Sequence, residues 1–462
     1  MVHCRREFLA SVARSMSAAG VLVGSRNAYG QTDNGARVAE IVSLRGDARS
    51  VGEQFGRLNA EDIRKHTAHM IDHWRKRGLS DDELVARSRP FHRFAEKFAP
   101  AWLDEIEACS NAAGVLPEDF LAYQTGKYRS LFFAHECTSF AAVGAATEDG
   151  AAIFHKNRDN YARDQSAYKK KIIDSSNSAG YYAIGDTSDV GVMMMVNEHG
   201  LAGSADMGGL PEDRPKGDGV MNPHILRLIA ERAERCEDAL EIIQQTVRDG
   251  WYAGGKSSGT HWLFADRHGK ALRVAHNSHE EQHWFYEDDV VFLARGKTEG
   301  AGLAREKMGH ITVRDINAAA SHPDICNCGS ISALTVRIDP ESPADLSGVW
   351  VALPAWSPYV PLYPMAQGVP RAVLDGTWFR KGYQMLSQHS GTKSGGVAFS
   401  ETYRQWRSTV QEEIYSDDEK VTRQIRTAYD DGSKDLAQRI ANDALTRDLD
   451  KAMAFPAGVP AS

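Results

Sequence analysis

A change of texture at Thr138 constrains the fold of this chain more than any other feature. Before it, from Asp47 to about Asn111, apolar residues recur at helical spacing: Val51, Phe55 and Leu58, then Phe94, Phe98, Trp102 and Ile106 at every fourth position, with Pro90 and Pro100 as punctuation. After it the pattern turns to short strands split by glycine turns, at 139–147, 151–155, 181–185 and 190–196, with Glu148-Asp149-Gly150 and Glu198-His199-Gly200 at the bends. Helical stretches at 222–233 and 239–247 separate these from a second block of strands at 261–266, 271–276, 283–286 and 290–294, with a hairpin turn at Arg267-His268-Gly269. Later strands are expected at 332–338 and 348–353. Residues 392–396 read as a flexible connection, and the region from about 403 to 455 as charged helix. Strands in two blocks, interleaved with helices that do not follow a strict βαβ order, predict an α+β fold. Two antiparallel sheets would carry helices outside them, unlike a doubly wound parallel sheet.

The extreme N-terminus stands apart from this. Arg5-Arg6-Glu7-Phe8-Leu9 has the form of a twin-arginine export signal, followed by an apolar stretch to Val23 and the small-residue exit Ala28-Tyr29-Gly30. The apolar run is interrupted by Arg14 and falls short of the ~20 residues that span a bilayer, so residues 1–30 read as a cleaved signal and not an anchor. The mature protein is expected to be periplasmic or secreted. The whole chain carries 54 basic and 62 acidic residues, net −8. Removing the signal makes it more acidic still, which argues against nucleic acid or an anionic membrane as a partner. Six cysteines are too few for a disulfide scaffold. Cys4 leaves with the signal, so an odd number remains, and Cys109, Cys236, Cys326 and Cys328 are left to pair or stay reduced.

Three motifs could carry chemistry. Gly255-Lys256-Ser257-Ser258-Gly259 fits the G-x-S-x-G nucleophile elbow, but that motif needs a strand before it and a helix after it. Here a strand follows, so the segment reads as a loop entering that strand. His279-Glu280-Glu281-Gln282-His283 is a literal H-E-x-x-H. On a helix it would set His279 and His283 on one face for zinc, with Glu280 as base. Strand-like Trp284-Phe285-Tyr286 follows at once, so a polar turn is the plainer reading and a zinc hydrolase the alternative. The third is Cys137-Thr138-Ser139, placed where the helical leader ends and the first strand begins. A cut before Cys137 would give a residue holding both a thiol (reference pKa ~8.5) and a free α-amine (~7.7–8.0), a nucleophile with its own general base.

Around this third centre the matches accumulate in order. Leu44-Arg45-Gly46 through Gly52, Gln54 and Gly56 comes first, then Glu105-Ile106-Glu107 with Ala112-Ala113-Gly114. Cys137-Thr138-Ser139, the Asp149-Gly150 turn and Lys156-Asn157-Arg158-Asp159 follow, then Asn197-Glu198-His199-Gly200-Leu201, Asn277, Ile325-Cys326 and residues 332–340. In these the chain resembles the penicillin acyltransferase (isopenicillin N acyltransferase) family of Ntn hydrolases and, more distantly, the choloylglycine hydrolases. The resemblance implies a four-layer αββα sandwich without a cofactor, acting on a small-molecule acyl amide. It implies Cys137 as nucleophile, Asp159 as orienter of its amine, Asn277 with backbone amides as oxyanion donors, and Thr138, Lys156, Asn157 and Asn197 in support. It also implies self-cleavage between Glu136 and Cys137. The pieces would be a leader of 31–136 and a catalytic core of 137–390 with a C-terminal helical extension over 391–462, the leader staying associated. Three positions depart from the family: Glu136 where glycine is usual before the cut, Lys156 for an arginine, and Asp206 where an asparagine donor is sought. A non-catalytic binding protein on the same scaffold is the third reading.

Overall fold

The computed structural model describes residues 40–129, 137–159, 165–173, 178–211, 219–253, 258–294, 296–326, 329–355, 357–382, 390–393, 396–399 and 401–454. The signal segment, Glu136, Ser257 and Cys328 lie outside them.

Short strands β1 (Ile41–Val42) and β2 (Leu44–Gly46) precede five leader helices, α1 (Ala48–Leu58), α2 (Ala60–Lys76), α3 (Asp81–Phe98), α4 (Ala101–Ala113) and α5 (Pro117–Arg129). The glycines of the leader motif explain how α1 lies on α4. A Cβ at Gly52 would stand 2.1 Å from the Glu105 carbonyl oxygen, and one at Gly56 2.3 Å from that of Cys109. Asp47 caps α1 by accepting the Ser50 N–H, and Ser80 with Glu83 forms a capping box on α3.

The core then alternates between two sheets. β3 (Thr138–Ala142) and β4 (Ile153–Asp159) are an antiparallel pair, turned at Asp149-Gly150 where Gly150 takes φ 75°. β5 (Gln165–Ile172), β6 (Tyr181–Asp186), β7 (Met194–Asn197) and β8 (Leu201–Pro211) follow, then α6 (Asn222–Arg232) and α7 (Cys236–Arg248). Next come β9 (Ser258–Asp266), β10 (Lys270–His276), β11 (Glu281–Glu287) and β12 (Val290–Phe292). After helices α8 (Glu299–Glu306) and α9 (Val313–Ala320), the chain forms β13 (Ser330–Arg337), β14 (Gly348–Ala352) and β15 (Val360–Pro361), and it ends on α10 (Glu401–Asp430) and α11 (Lys434–Met453). One sheet has eight strands in the order β11-β10-β9-β8-β7-β6-β5-β2 and the other six, β12-β3-β4-β13-β14-β15. Every pairing within them is antiparallel except β2 with β5.

The sheets lie face to face, β3 and β4 over β8 and β9, and β13 over β7. On the outer face of the eight-stranded sheet, α6 and α7 pack on β7 to β10. On the outer face of the six-stranded sheet, α9 packs on β4 and β13. Tyr415 of α10 adds a ring contact to Trp350 of β14, centroids 5.4 Å apart. The order is therefore helix, sheet, sheet, helix, the four-layer sandwich expected. Trp262, Phe264, Leu334, Val336 and Val351, each at most 1% exposed, lie in the main core.

The leader is welded to this core by buried charge. Lys170 of β5 donates to Glu105 Oε1 (2.8 Å), Arg227 of α6 to Glu105 Oε2 (2.5 Å) and Glu231 Oε1 (2.9 Å), and the Trp102 indole N–H to Glu231 Oε2 (2.6 Å). Burial opposes ionisation of Glu105, yet the charges of Arg227 and Lys170 outweigh it and hold the carboxyl below its usual value.

One expectation needs correction. Thr392, Lys393 and Gly396, expected in a flexible connection, stand in a two-stranded ladder that pairs Ser390–Lys393 with Gly396–Phe399, which the Gly-rich composition hid. The charged C-terminal region is helical as expected, in two helices that meet at Gly432, which takes φ 75°.

Candidate active site

Cys137 stands at the head of β3, half-buried. Thr138 pairs with Asn157 and Ser139 with Lys156 across the β3–β4 ladder, and directly paired residues share a face. Ser139 and Lys156 face the eight-stranded sheet, since both bond Asp206 of β8: the Ser139 hydroxyl donates to Oδ2 (2.7 Å) and the Lys156 ammonium to Oδ1. One step back along the alternation puts Cys137 on this same face. Its thiol is a charge neighbour of the Lys156 ammonium, and the S–H reaches the Asp159 backbone oxygen at 3.7 Å. Lys156 is 1% and Asp206 3% exposed. Burial pulls the Lys156 ammonium down from its ordinary value, with Cys137 acting in the opposite sense; the Asp206 carboxylate is its direct counter-charge.

The other face of β4 carries Asn157 and Asp159. The Asp159 carboxylate accepts the Ser330 hydroxyl at 2.6 Å. Asn157 donates to the Ala320 carbonyl (2.8 Å) and accepts from His155 Nε2 (2.9 Å). The His155 Nδ1 side meets the Thr335 hydroxyl, which bonds the Asn317 amide, and that amide reaches the Tyr415 hydroxyl, so a buried polar chain runs from β4 to α10. Burial lowers the pKa of His155 to about 3, leaving a neutral imidazole. Thr138 is fully buried, and its hydroxyl has no hydrogen-bond partner among the described residues.

Two further expected residues serve the turns. Asn197 Oδ1 accepts the N–H groups of His199 and Leu201, and its amide donates to the carbonyls of Ala230 and Ala233, fastening the β7–β8 turn to the end of α6. Asn277 follows β10. Its oxygen accepts the N–H groups of His279 and Glu280, and its amide donates to the Pro211 carbonyl at 2.8 Å. The H-E-x-x-H segment is this turn plus the start of edge strand β11. His279 lies in the turn and His283 on the strand, so the two lack the helical spacing the zinc alternative required, and among the described residues no group of His, Cys, Asp and Glu is placed to hold a metal. His283 instead faces the Glu281 carboxylate at 3.2 Å. Ser258 and Gly259 already stand in β9, so a strand and not a helix follows Ser257.

Sequence reasoning sought a donor at Asp206 and missed that it anchors Lys156. It also passed over Ser139, Ser204 (hydroxyls 2.8 Å apart) and His261. The last pairs with Asp206 across β8 and β9, and burial together with the charge of Arg273 lowers its pKa to about 4. Strand alternation from Cys137 and from Asp206 was the available signal. A cavity of about 610 Å³ lies elsewhere, lined by Ile153, Arg337, Trp350 and Asp418. The β4–β13 ladder runs from Asp159–Ser330 at the Cys137 end to Ile153–Arg337, so this cavity opens ~20 Å from the thiol.

The other described thiols are buried. Desolvation pushes Cys109 and Cys236 well above the ordinary thiol range, so they stay protonated. Cys326 is 3% exposed.

Residues 145–292 match the family model of acyl-coenzyme A:6-aminopenicillanic acid acyl-transferase. The resemblance is thereby shown over the stretch that holds Lys156, Asp159, Asn197, Asp206 and Asn277, and the match indicates an enzyme of the Ntn amidohydrolase or acyltransferase kind. Among solved structures, the chain is similar to a variant of the conjugated bile acid hydrolase from Clostridium perfringens (10% identity, 49% of this chain and 92% of that chain, TM-score 0.35). It is also similar to the penicillin V acylase from Agrobacterium tumefaciens (12%, 49% and 86%, TM-score 0.35). A third is a Caenorhabditis elegans ortholog of N-acylethanolamine-hydrolyzing acid amidase (11%, 45% and 95%, TM-score 0.34). No curated protein matches the chain significantly.

Proposed function

We propose that this protein is an exported cysteine Ntn hydrolase or acyltransferase that opens a linear amide through an S-acyl-enzyme, after cutting itself before Cys137. The observation that carries the reading is the half-buried Cys137 thiol at a strand head beside the buried Lys156 ammonium, while Cys109, Cys236 and Cys326 are buried. In the precursor, Cys137 Sγ adds to the Glu136 carbonyl, the C–N bond breaks as the nitrogen takes up a proton, and water hydrolyses the thioester. The freed α-amine then serves as base for each later turnover, accepting the thiol proton and returning it to the departing amine. Asp159 orients that amine in this reading. The buried network between Glu105 and Arg227 supports a leader that stays bound after the cut.

Cys137→Ala is expected to abolish activity and leave the chain uncut after signal removal. Intact mass with N-terminal sequencing reads this directly: wild type should give a chain beginning Cys-Thr-Ser-Phe. Two chains persisting in the alanine variant would sink the self-processing claim. For the export segment, fusion of residues 1–30 to a reporter should deliver it to the periplasm, and replacing Arg5 and Arg6 by lysines should stop delivery.

A further inference from the structure

An ammonium has three N–H donors, and two of those on Lys156 are anchored. One goes to the Ala205 carbonyl at 2.9 Å and one to Asp206 Oδ1. Asp206 is itself held, because its other oxygen accepts the Ser139 hydroxyl, which in turn contacts Ser204. Cys137 lies two residues from Ser139, the register partner of Lys156, and on the same face, which puts its Sγ within reach of the third donor. The titratable groups around Lys156 are Asp206 from β8, Cys137 from the head of β3, and Arg158 and Asp159 from its own strand, with His261 of β9 across from Asp206.

When a thiolate adds to an amide, the carbonyl oxygen takes the negative charge one bond beyond the carbon that the sulfur attacks. A donor that borders the sulfur therefore also reaches that oxygen. A carboxylate at Asp206 cannot donate there, and Asn277 has its oxygen on two backbone N–H groups and its amide on Pro211.

We propose that Lys156 is the side-chain oxyanion donor of this site and that Asp206 is the positioning residue that aims it. This deepens the reading of Cys137 as nucleophile and rests on it. As the C–S bond forms, the C=O π pair moves to oxygen and accepts the Lys156 N–H. On collapse the pair returns, the C–N bond breaks, and the amine leaves with a proton from the Cys137 α-ammonium, while Lys156 keeps its own proton throughout.

Two reactions of the same thiol separate this role from mere thiolate formation. The p-nitrophenol burst from p-nitrophenyl acetate passes through an oxyanion, and alkylation by iodoacetamide does not. With the processed full-length protein at pH 7, Lys156→Met should slow the burst by ~10²–10³-fold and alkylation by less than tenfold, and Lys156→Arg should restore the burst to within tenfold of wild type. Asp206→Ala should lower the burst-to-alkylation ratio at least tenfold, a ratio that a purely structural role would leave unmoved; it carries the test if Lys156→Met does not fold. Burst and alkylation falling in parallel would overturn the assignment, as would a greater loss of burst in Asn277→Ala than in Lys156→Met. Failure of the underlying reading looks different: a wild-type burst that survives Cys137→Ala.

Discussion

Replacing Glu105 by glutamine would leave Lys170 and Arg227 to share Glu231, with one uncompensated positive charge sealed between leader and core. Lys170 and Glu105 are each 4% exposed at the side chain and Arg227 0%, so water cannot take over the lost role. Breaking a buried pair by deleting one partner costs ~3–5 kcal/mol, far more than the pair contributes relative to apolar residues. With an unfolding entropy of ~2.1 cal/mol/K per residue over 462 residues, the melting temperature should fall by about 3–5 °C. The accompanying test is the double variant Glu105→Gln with Lys170→Met, which returns the buried group to neutrality and should recover at least ~1 kcal/mol of the loss. Urea unfolding and calorimetry of the four proteins close the cycle. A single-variant loss below about 1 kcal/mol, or a double variant whose loss equals the sum of the singles, would refute the claim that buried charge joins the two parts.

Acid should unsettle the fold through His155. Its folded pKa of about 3 lies below the unfolded ~6.5, so its contribution is complete above pH 6.5 and fades as pH falls towards 3. By pH 5 this amounts to ~2 kcal/mol. Stability measured at pH 7 and pH 5 should change less in His155→Gln than in wild type by roughly that amount, and identical changes would remove His155 as the cause. Asn197→Ala should cost ~2–4 kcal/mol, because it strands two carbonyls and two N–H groups at the β7–β8 turn. An unfolding free energy within about 1 kcal/mol of wild type would mean the turn holds without it.

Much of the strand pattern was legible because apolar alternation and turn residues agreed with each other. Residues 181–185, 261–266 and 271–276 fall in strands as read, and the hairpin joining the last two turns at Gly269, φ 76°. Among the strands that escaped are two long ones. β5 carries Lys169, Lys170 and Lys171, which look solvated in sequence, although Lys170 is buried against Glu105. β8 holds Gly203, Gly208 and Gly209 and resembles a loop. The structure needs that bareness, since a Cβ at Gly203 would stand 2.1 Å from the Phe264 ring. Helices α8 and α9 were missed for shortness, with eight residues each. At the site, Cys137 was found from its place at the boundary of two textures. The partnership of Lys156 with Asp206 joins residues of two sheets, and one-dimensional spacing carries no record of a contact across a sandwich.

The polar seam between the sheets has an evolutionary reading. Lys156, Asp206, Ser139 and Ser204 occupy positions where an ordinary sandwich would place interlocking aliphatic side chains. Filling them with such side chains would be neutral or stabilising by the usual behaviour of buried ion pairs. Selection for thermal robustness alone would therefore erode this seam first. A descendant with leucine or methionine at 156 and 206 would keep the architecture, gain stability, and be recognisable from sequence as a scaffold that has given up its chemistry.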